Sequence, residues 1–277
     1  MQRMSLGKQL RQRRLMGRGR AVIVAMDHGV AAGVVRGLEN PRAVVKTIAS
    51  TGADGILVTP GVLETVAEEL GNLAVLLRID GCVSPHGSGP MRLFSGIEDA
   101  VRTGVDAVVM NATVGAPYES DELQKVGSVA TEGRRWGMPV VAEILSQRMM
   151  ANHMDMTGGG KDLLPADIGE DVSMACRFGV ELGADAIKTR YSGDIEGFRK
   201  TVACTDRPIL VAGGPLRDSS LESTLRLVDD VLRAGASGVI FGRNVWQQPD
   251  PAEALRALCA MVHENATVEE ALQAAVV

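Results

Sequence analysis

A segment of similar sequence occurs four times in this chain. Each copy reaches a glycine, makes a short turn and continues into an apolar run, as in Thr51-Gly-Ala-Asp-Gly-Ile-Leu-Val, Thr103-Gly-Val-Asp-Ala-Val-Val-Met, Leu182-Gly-Ala-Asp-Ala-Ile-Lys-Thr and Ala234-Gly-Ala-Ser-Gly-Val-Ile-Phe. A glycine that ends a helix before an apolar run of strand length is typical of a helix-to-strand connection. Gly52, Gly104, Gly183 and Gly235 are separated by 52, 79 and 52 residues, and 52 residues suit two βα units. We therefore expect a chain built from repeated strand and helix pairs.

Four further apolar runs lie outside these copies, over Ala21–Met26, Leu73–Ile79, Pro139–Leu145 and Pro208–Ala212. With the four repeats they make eight candidate strands, and nearly every residue in them is apolar, as expected of parallel strands covered on both faces. A length of 277 residues, 45% of them hydrophobic, suits one barrel of roughly 250 residues. We predict an α/β fold, a (β/α)8 TIM barrel formed by residues 1–277 as a single domain.

Three segments outside the repeats have a predictable character. Residues 1–20 contain seven Lys or Arg residues and no acid, which fits a transit peptide, a lipid-binding arm or a docked amphipathic helix. The docked helix is favoured because Leu6, Leu10 and Leu15 give an apolar edge. Residues 146–163, rich in Met and Gly, are interpreted as a lid-like loop, with an ordinary surface loop as the alternative. Residues 266–277 have the pattern of a C-terminal helical extension.

The overall composition excludes several classes of protein. The formal net charge of −5 argues against a nucleic-acid partner held by a basic surface. No apolar run approaches the roughly 20 residues that span a bilayer, so no membrane is expected. The four cysteines lie far apart, and neither the cysteines nor the histidines have the spacing of metal ligands. We therefore expect a cytoplasmic protein with no metal and no cofactor.

Lys188 is the most unusual residue of the chain because it lies inside an apolar run, Ala186-Ile187-Lys188. A charged amine is costly there unless it is paired or neutral. Partial desolvation beside Arg190, two residues along the same strand face, would favour the neutral amine, which attacks carbonyl groups. The alternative is a buried ion pair with Glu143 or Asp27.

Asp27 ends the first strand and would project into the barrel mouth, so it is the candidate acid/base partner of Lys188. His28 should point the other way by strand alternation and is best interpreted as a packing residue, although we retain it as a candidate substrate-binding residue. Gly213 and Gly214 end strand seven, and Gly242 and Arg243 end strand eight, where barrels frequently bind a phosphate. The alternative is that these glycines only form tight turns.

Five motifs, taken in order, resemble a known family. They are Ser5-Leu-Gly-Lys, Ala25-Met-Asp-His-Gly, Gly183-Ala-Asp-Ala-Ile-Lys-Thr, Val211-Ala-Gly-Gly-Pro and Gly242-Arg-Asn, and they span nearly the whole chain. This pattern resembles the archaeal-type class I fructose-bisphosphate aldolase family, which also includes aminodideoxyheptulosonate synthases and the thiolase that degrades phosphorylated autoinducer-2.

The resemblance implies a set of roles for residues of this chain. Lys188 would form a Schiff base, Asp27 would transfer protons, and the strand-seven and strand-eight glycines with Arg243 would bind a substrate phosphate. The basic N-terminal helix would close the bottom of the barrel. Apart from the resemblance, we also retain Arg190 and His28 as candidate substrate- or phosphate-binding residues. Family members form large ring-like homo-oligomers, so a pentamer-based ring or decamer is expected, with the C-terminal segment available for such contacts.

One position departs from the family. Family aldolases carry a tyrosine near the end of strand five, and this chain has Leu145 where it is expected. Glu143 would then share the inward face, either as an ion-pair partner of Lys188 or Arg190 or as the replacement proton carrier. Tyr191 competes for that role but should point away from the lumen.

The expected function is a metal-independent class I aldolase or aldol-type synthase that acts on a phosphorylated ketose or ketone such as dihydroxyacetone phosphate. Two alternatives remain open at the level of sequence. One is thiolase-type acyl transfer from a phosphorylated diketone on the same lysine. The other is a sugar-phosphate-binding barrel without turnover.

Overall fold

The computed structural model describes residues 5–153, 168–216 and 220–276. Eight parallel strands form a closed ring, in which each strand pairs with its sequence neighbours and the eighth pairs with the first. They are β1 (Ala21–Ala25), β2 (Gly55–Val58), β3 (Ala74–Arg78), β4 (Ala107–Val114), β5 (Val140–Ser146), β6 (Ala186–Arg190), β7 (Ile209–Ala212) and β8 (Gly238–Phe241). The predicted (β/α)8 barrel is confirmed, with strands at the predicted places.

Helices follow the strands around the outside of the ring. They are α1 (Leu6–Met16), α2 (Gly29–Ala32), α3 (Pro41–Ala49), α4 (Pro60–Val66), α5 (Ile97–Thr103), α6 (Glu119–Trp136), α7 (Gln147–His153), α8 (Ile168–Glu181), α9 (Ile195–Ala203), α10 (Leu221–Arg233), α11 (Arg243–Trp246), α12 (Pro251–Glu264) and α13 (Val268–Ala275). A 3-10 turn covers Ala67–Glu69, and a short antiparallel pair joins Asp80–Gly81 to Arg92–Leu93 above β3. No helix in the described part of the chain is long and apolar enough to cross a membrane.

Two apolar layers explain why the strands are apolar on both faces. Ile23, Leu76 and Leu210 pack inside the ring, whereas Val22 and Val24 belong to the larger cluster between the ring and its helices. Neighbouring residues on a strand point to opposite faces, so a barrel strand covered on both sides needs apolar residues at nearly every position.

The aspartate of the repeated segment has a structural role at the N-terminal end of the barrel. In three copies it accepts a hydrogen bond from a backbone N–H of the preceding strand: Asp54 from Val22 at 2.7 Å, Asp106 from Val75 at 2.9 Å and Asp185 from Val140 at 2.9 Å. The fourth copy has Ser237, whose backbone carbonyl accepts from the Ala21 N–H at 3.0 Å. The repeat therefore fastens β1 to β2, β3 to β4 and β5 to β6.

Helix α1 lies across this end of the barrel, and residues of α1 and of the turn that follows it pair with the same three aspartates. Lys8 Nζ lies 2.8 Å from Asp185, Arg14 Nη1 lies 2.8 Å from Asp106, and Arg18 Nε lies 3.4 Å from Asp54. The Lys8 pair is buried, whereas the two arginines are more than half exposed and contribute little individually.

The apolar edge expected for α1 is wrong at two of its three positions. Leu15 is buried with the residues inside the ring, but Leu6 is 70% exposed and Leu10 is 46% exposed. The helix docks mainly through cations because the aspartates that hold the strand N–H groups present carboxylate oxygens at this end of the barrel.

The segment predicted as a lid is partly described. Ser146 ends β5 and residues 147–153 form α7, so the first part of this segment is helical rather than a loop. Residues 154–163 lie outside the described residues, and the lid stays a prediction. At the other end of the chain, α13 packs against α12 and α10 and begins with a capping box between Thr267 and Glu270.

Candidate active site

The C-terminal ends of the strands surround one open cleft, which contains about 720 Å³ of empty space, part of it open to solvent. Eight of the residues predicted from the sequence line it: Asp27, His28, Glu143, Lys188, Gly213, Gly214, Gly242 and Arg243. The barrel therefore brings together residues from β1, β5, β6, β7 and β8 that are up to 216 positions apart in the chain. This is the end at which barrel enzymes carry out their chemistry.

Lys188 lies on β6 directly beside Glu143 on β5. The lysine is 4% exposed, and its Nζ lies 2.8 Å from Glu143 Oε1. A buried ammonium needs such a partner because its desolvation is otherwise too costly. The ion pair that the sequence left as an alternative is thus present, and it holds the amine at the mouth of the barrel.

Arg78 on β3 links the two carboxylates on which the sequence analysis depended. Its Nε donates to Asp27 Oδ2 at 2.7 Å, and its Nη2 donates to Glu143 Oε2. Burial alone would lower the pKa of Arg78, but the carboxylates of Asp27, Glu143 and Asp80 raise it above its usual value. Lys188, Glu143, Arg78 and Asp27 therefore form one continuous chain of charged contacts.

A second group of polar residues supports this chain from behind. Asp80 accepts hydrogen bonds from Lys125 Nζ at 2.6 Å and from the Asn111 backbone N–H at 2.8 Å, and it lies 3.4 Å from Arg78. With its amide oriented to satisfy both neighbours, Asn111 donates to Glu143 Oε2 at 3.2 Å and accepts from Arg78 Nη1 at 2.9 Å. The two groups together contain three cations and three carboxylates: Lys188, Arg78 and Lys125 with Glu143, Asp27 and Asp80.

Sequence reasoning missed this supporting group, although a signal was present. Arg78 and Asp80 interrupt an apolar strand end in the same way as Lys188 does, and the same argument would have selected them. Lys125 gave no such signal, because it lies on α6 among polar residues, where a lysine is ordinary.

Asp27 differs from Glu143 in how its oxygens are used. Its Oδ2 accepts from Arg78, whereas its Oδ1 lies 3.6 Å from His28 Nδ1, beyond hydrogen-bonding distance. Burial would raise the pKa of Asp27, but the Arg78 and Lys188 cations outweigh it, and the pKa lies below its ordinary value. Asp27 is thus an ionised carboxylate with one available oxygen facing the cleft.

His28 lines the cleft and also packs, so it is not directed away from the mouth as expected. Its ring makes an edge contact with Trp246 at a centroid distance of 5.1 Å and lies against Gly242. Burial, with a further contribution from the nearby Arg243 cation, lowers the pKa of His28 to about 4. The imidazole is therefore neutral at physiological pH.

The glycines at the ends of β7 and β8 allow close packing around two buried arginines. A side chain at Gly213 would meet Asn244 Oδ1 at 2.0 Å, and one at Gly214 would meet the Arg190 guanidinium at 2.8 Å. Gly214 also has a φ of +71°, which favours glycine. Arg190 and Arg243 are each 2% exposed, so this side of the cleft concentrates positive charge near bare backbone.

Three further residues named in the sequence analysis lie outside the cleft lining: Arg190, Leu145 and Tyr191. Leu145 is buried in the apolar cluster between the ring and its helices. Tyr191 makes an edge contact with Phe198 at 5.4 Å, in agreement with the expectation that it points away from the lumen. Position 145 has a leucine in place of the family's tyrosine, and Tyr191 packs against Phe198. Neither position therefore supplies a phenol beside Lys188.

The fold and the cleft together define a class: a (β/α)8 barrel enzyme with a buried lysine among carboxylates at its C-terminal mouth. Residues 21–248 match the DeoC/LacD family aldolase family, and the chain belongs to that family. It is an enzyme that breaks or forms carbon–carbon bonds, of the class I type that uses a Schiff base.

Named relatives agree with this assignment. The chain is 34% identical over 269 residues to 2-amino-3,7-dideoxy-D-threo-hept-6-ulosonate synthase of Halobacterium salinarum, covering 96% of this chain and 95% of that protein. It is 32% identical over 250 residues to 2-amino-4,5-dihydroxy-6-oxo-7-(phosphonooxy)heptanoate synthase of Streptomyces griseus, covering 90% and 86%. A structure of an archaeal fructose-1,6-bisphosphate aldolase, with its catalytic lysine bound to the carbinolamine intermediate, has a TM-score of 0.80 at 27% identity, covering 93% of this chain and 99% of that chain.

Proposed function

We propose that Lys188 forms the imine and that the donor substrate is a phosphorylated ketone such as dihydroxyacetone phosphate. The observation that carries this proposal is the charged chain from Lys188 through Glu143 and Arg78 to Asp27, buried at the mouth of the barrel. A lysine held among carboxylates can be deprotonated and reprotonated during turnover, which an imine mechanism requires.

The reaction balances with the residues present. The neutral Lys188 amine adds to the ketone carbonyl. The carbinolamine hydroxyl group takes up one proton and leaves as water, which gives an iminium, and hydrolysis of the product iminium later returns that proton. Removal of an α-proton by a carboxylate gives the enamine, whose carbon attacks an aldehyde and forms the new carbon–carbon bond. The same acid returns the proton to the aldehyde oxygen, and water hydrolyses the iminium to release the product. Cleavage is the same sequence in reverse.

The geometry favours Asp27 over Glu143 as the residue that moves the proton. Both Glu143 oxygens already accept hydrogen bonds, one from Lys188 and the other from Arg78 and Asn111. Asp27 keeps Oδ1 available, and the Arg78 and Lys188 cations hold its carboxyl group in the ionised form, which is the form that can accept a proton. Glu143 is therefore a positioning residue that holds the Lys188 amine, and Asp27 replaces the missing tyrosine.

The phosphate would bind at the ends of β7 and β8. Gly213, Gly214 and Gly242 line the cleft without side chains, so an anion there could approach their backbone, and the buried Arg243 supplies a fixed positive charge. The Arg190 guanidinium lies against Gly214, outside the cleft lining, and the His28 ring lies against Gly242 and lines the cleft. The name of the Streptomyces griseus relative supports this placement, because its product carries a phosphonooxy group on the carbon next to the ketone.

Thiolase-type acyl transfer is the second candidate, and the leucine at position 145 favours it because no phenol is available beside the lysine. Both reactions share the imine, but only the aldol reaction requires exchange of the donor α-proton with solvent. Exchange measured by proton NMR in deuterated buffer therefore distinguishes them.

We also propose that the enzyme assembles into a homo-oligomer and works in a reducing compartment such as the cytoplasm. Exposed apolar side chains, among them Leu6, Val34 and Val276, would be covered in such an assembly. The four cysteines are free, which suits a reducing compartment. Light scattering of the purified protein tests the assembly.

Reductive trapping tests the proposed function directly. The protein is incubated with dihydroxyacetone phosphate and borohydride, and the modified peptide is mapped by mass spectrometry. We expect the substrate-derived mass on Lys188 and none in Lys188→Ala. Modification of Lys125 instead, the other buried lysine near the cleft, would contradict the assignment, and no modification at all would favour a binding protein without turnover.

A further inference from the structure

The cleft continues into a second cavity, which we call the side lobe. It shares Ala31, Val83, Met91 and Met150 with the cleft and contains about 1120 Å³ of empty space, part of it open to solvent. Because the phosphate-binding glycines line the cleft and not the side lobe, a molecule in the lobe would lie beside the donor rather than at its phosphate.

Three connections at the barrel mouth form the walls of the side lobe. The loop between Gly81 and Arg92 supplies small and apolar residues, the end of β4 supplies Thr113, and the start of α6 supplies Tyr118. Gln147, the first residue of α7, is exposed at the rim. The lining thus offers hydroxyl and amide groups on an otherwise apolar surface.

The side lobe differs from the phosphate end of the cleft in charge. Of the described residues that line it, none is Lys, Arg or His, and Glu122 alone is ionisable as an acid at neutral pH. Both Glu122 oxygens accept backbone hydrogen bonds, from Met91 N–H at 2.9 Å and Thr113 N–H at 2.6 Å. Arg148, beside Gln147 in sequence, pairs with Asp171 at 3.3 Å and does not line the lobe.

A phosphate dianion would be poorly bound in such a place. Removing a phosphate from water is costly without a cationic partner, which none of the described lining residues supplies, and the Glu122 carboxylate adds repulsion. Hydroxyl groups of a small aldehyde can instead be satisfied by the neutral donors and acceptors of the lining. On the basis of the proposed function, we infer that the acceptor substrate binds in the side lobe and is a short, unphosphorylated aldehyde with neutral polar groups.

A comparison of two acceptors tests this inference. Exchange of the dihydroxyacetone phosphate α-proton is measured first, since it reports the donor half-reaction, and then kcat/KM for carbon–carbon bond formation is measured with glyceraldehyde and with glyceraldehyde 3-phosphate. We expect glyceraldehyde to be favoured by about tenfold or more, the scale of one unfavourable charge placement. Equal or better use of the phosphorylated aldehyde would overturn the inference. The inference would also be overturned if the donor α-proton exchanged normally but neither aldehyde gave product. If the donor α-proton did not exchange at all, the proposed function itself would be contradicted.

A charge introduced at the rim places the effect in the side lobe. Gln147→Arg should raise the kcat/KM ratio of glyceraldehyde 3-phosphate to glyceraldehyde by about tenfold, because it adds a cation where the phosphate would lie. Gln124→Arg is the matched control, since Gln124 is exposed on α6 and does not line the lobe. An unchanged ratio in Gln147→Arg, or the same change in both variants, would contradict binding of the acceptor at this position.

Discussion

Replacing Asp27 by asparagine separates proton transfer from imine formation. The amide has the size of the carboxylate but neither its charge nor its basicity. Arg78 would keep its contacts with Glu143 and Asp80, so the buried guanidinium stays paired and we expect the barrel to fold. The loss of one charged hydrogen-bonded partner should lower the free energy of unfolding by about 1.5–3 kcal/mol.

The kinetic effect should be larger than the effect on stability. A positioned general base contributes about 10²- to 10⁴-fold to the rate, which corresponds to roughly 2.7–5.4 kcal/mol in the barrier. Asp27 Oδ1 is the oxygen that remains available for this purpose, because the opposite oxygen accepts from Arg78. We therefore expect Asp27→Asn to slow exchange of the donor α-proton by about 10²-fold or more, while borohydride trapping on Lys188 survives.

Glu143→Gln provides the contrasting variant. Both Glu143 oxygens contact cations or Asn111, so an amide NH₂ group in this position must face at least one donor. Trapping on Lys188 and α-proton exchange should then fall together, because the amine is no longer held. Proton NMR in deuterated buffer measures exchange, and intact mass measures trapping. If Glu143→Gln loses exchange while it keeps trapping, and Asp27→Asn keeps both, the two roles are reversed and the reasoning fails.

Four further outcomes are expected. Lys188→Ala should abolish imine trapping while circular dichroism shows a folded barrel, and retained activity would exclude the Schiff-base mechanism at this residue. Arg243→Ala should weaken phosphorylated ligands by about 1.5–3 kcal/mol in calorimetry, and equal losses for unphosphorylated ligands would remove Arg243 from phosphate binding. The pKa of His28 falls from 6.5 to about 4 on folding, so its contribution to stability is complete above pH 6.5 and is lost as the pH falls towards 4. The free energy of unfolding should fall by at most about 1.4 kcal/mol per pH unit in this range. Denaturant titrations of His28→Gln at the same pH values should not show this pH-dependent loss. Added chelator should leave activity unchanged, and strong inhibition would favour a metal-dependent route.

The barrel could be predicted from the sequence because its signal is local. The strand runs are apolar at nearly every position. A repeated glycine precedes each even-numbered strand, and an aspartate follows that glycine before β2, β4 and β6. The expectation that Leu6 and Leu10 of α1 are buried failed because its basis is not local. The surface on which α1 docks is formed by residues far away in the sequence. Asp106 and Asp185 are held there only once their strands have paired with β3 and β5.

The same limit explains what was found and missed at the site. Lys188 was predictable because a charged side chain is unusual within an apolar strand. Asp27 and the strand-end glycines were predictable because such residues are typical of the strand ends at which barrel enzymes bind substrates. The link through Arg78 could not be predicted, because Arg78 joins Asp27 and Glu143, which lie 51 and 65 residues away from it in the sequence. Lys125 reaches Asp80 across 45 residues from a helix of ordinary composition, so only the folded chain identifies it.

The aspartates at the N-terminal end of the barrel also bear on the order in which the chain assembles. Each joins strands through a contact of 31, 32 or 45 residues, whereas ring closure pairs Val24 with Phe241. Because short-range contacts cost less chain entropy, each strand pair can form before the ring closes. Helix α1 leaves the ribosome before any of its partners, and its last aspartate is residue 185. Docking of α1 through Lys8 therefore cannot be complete until Asp185, just before β6, is in place.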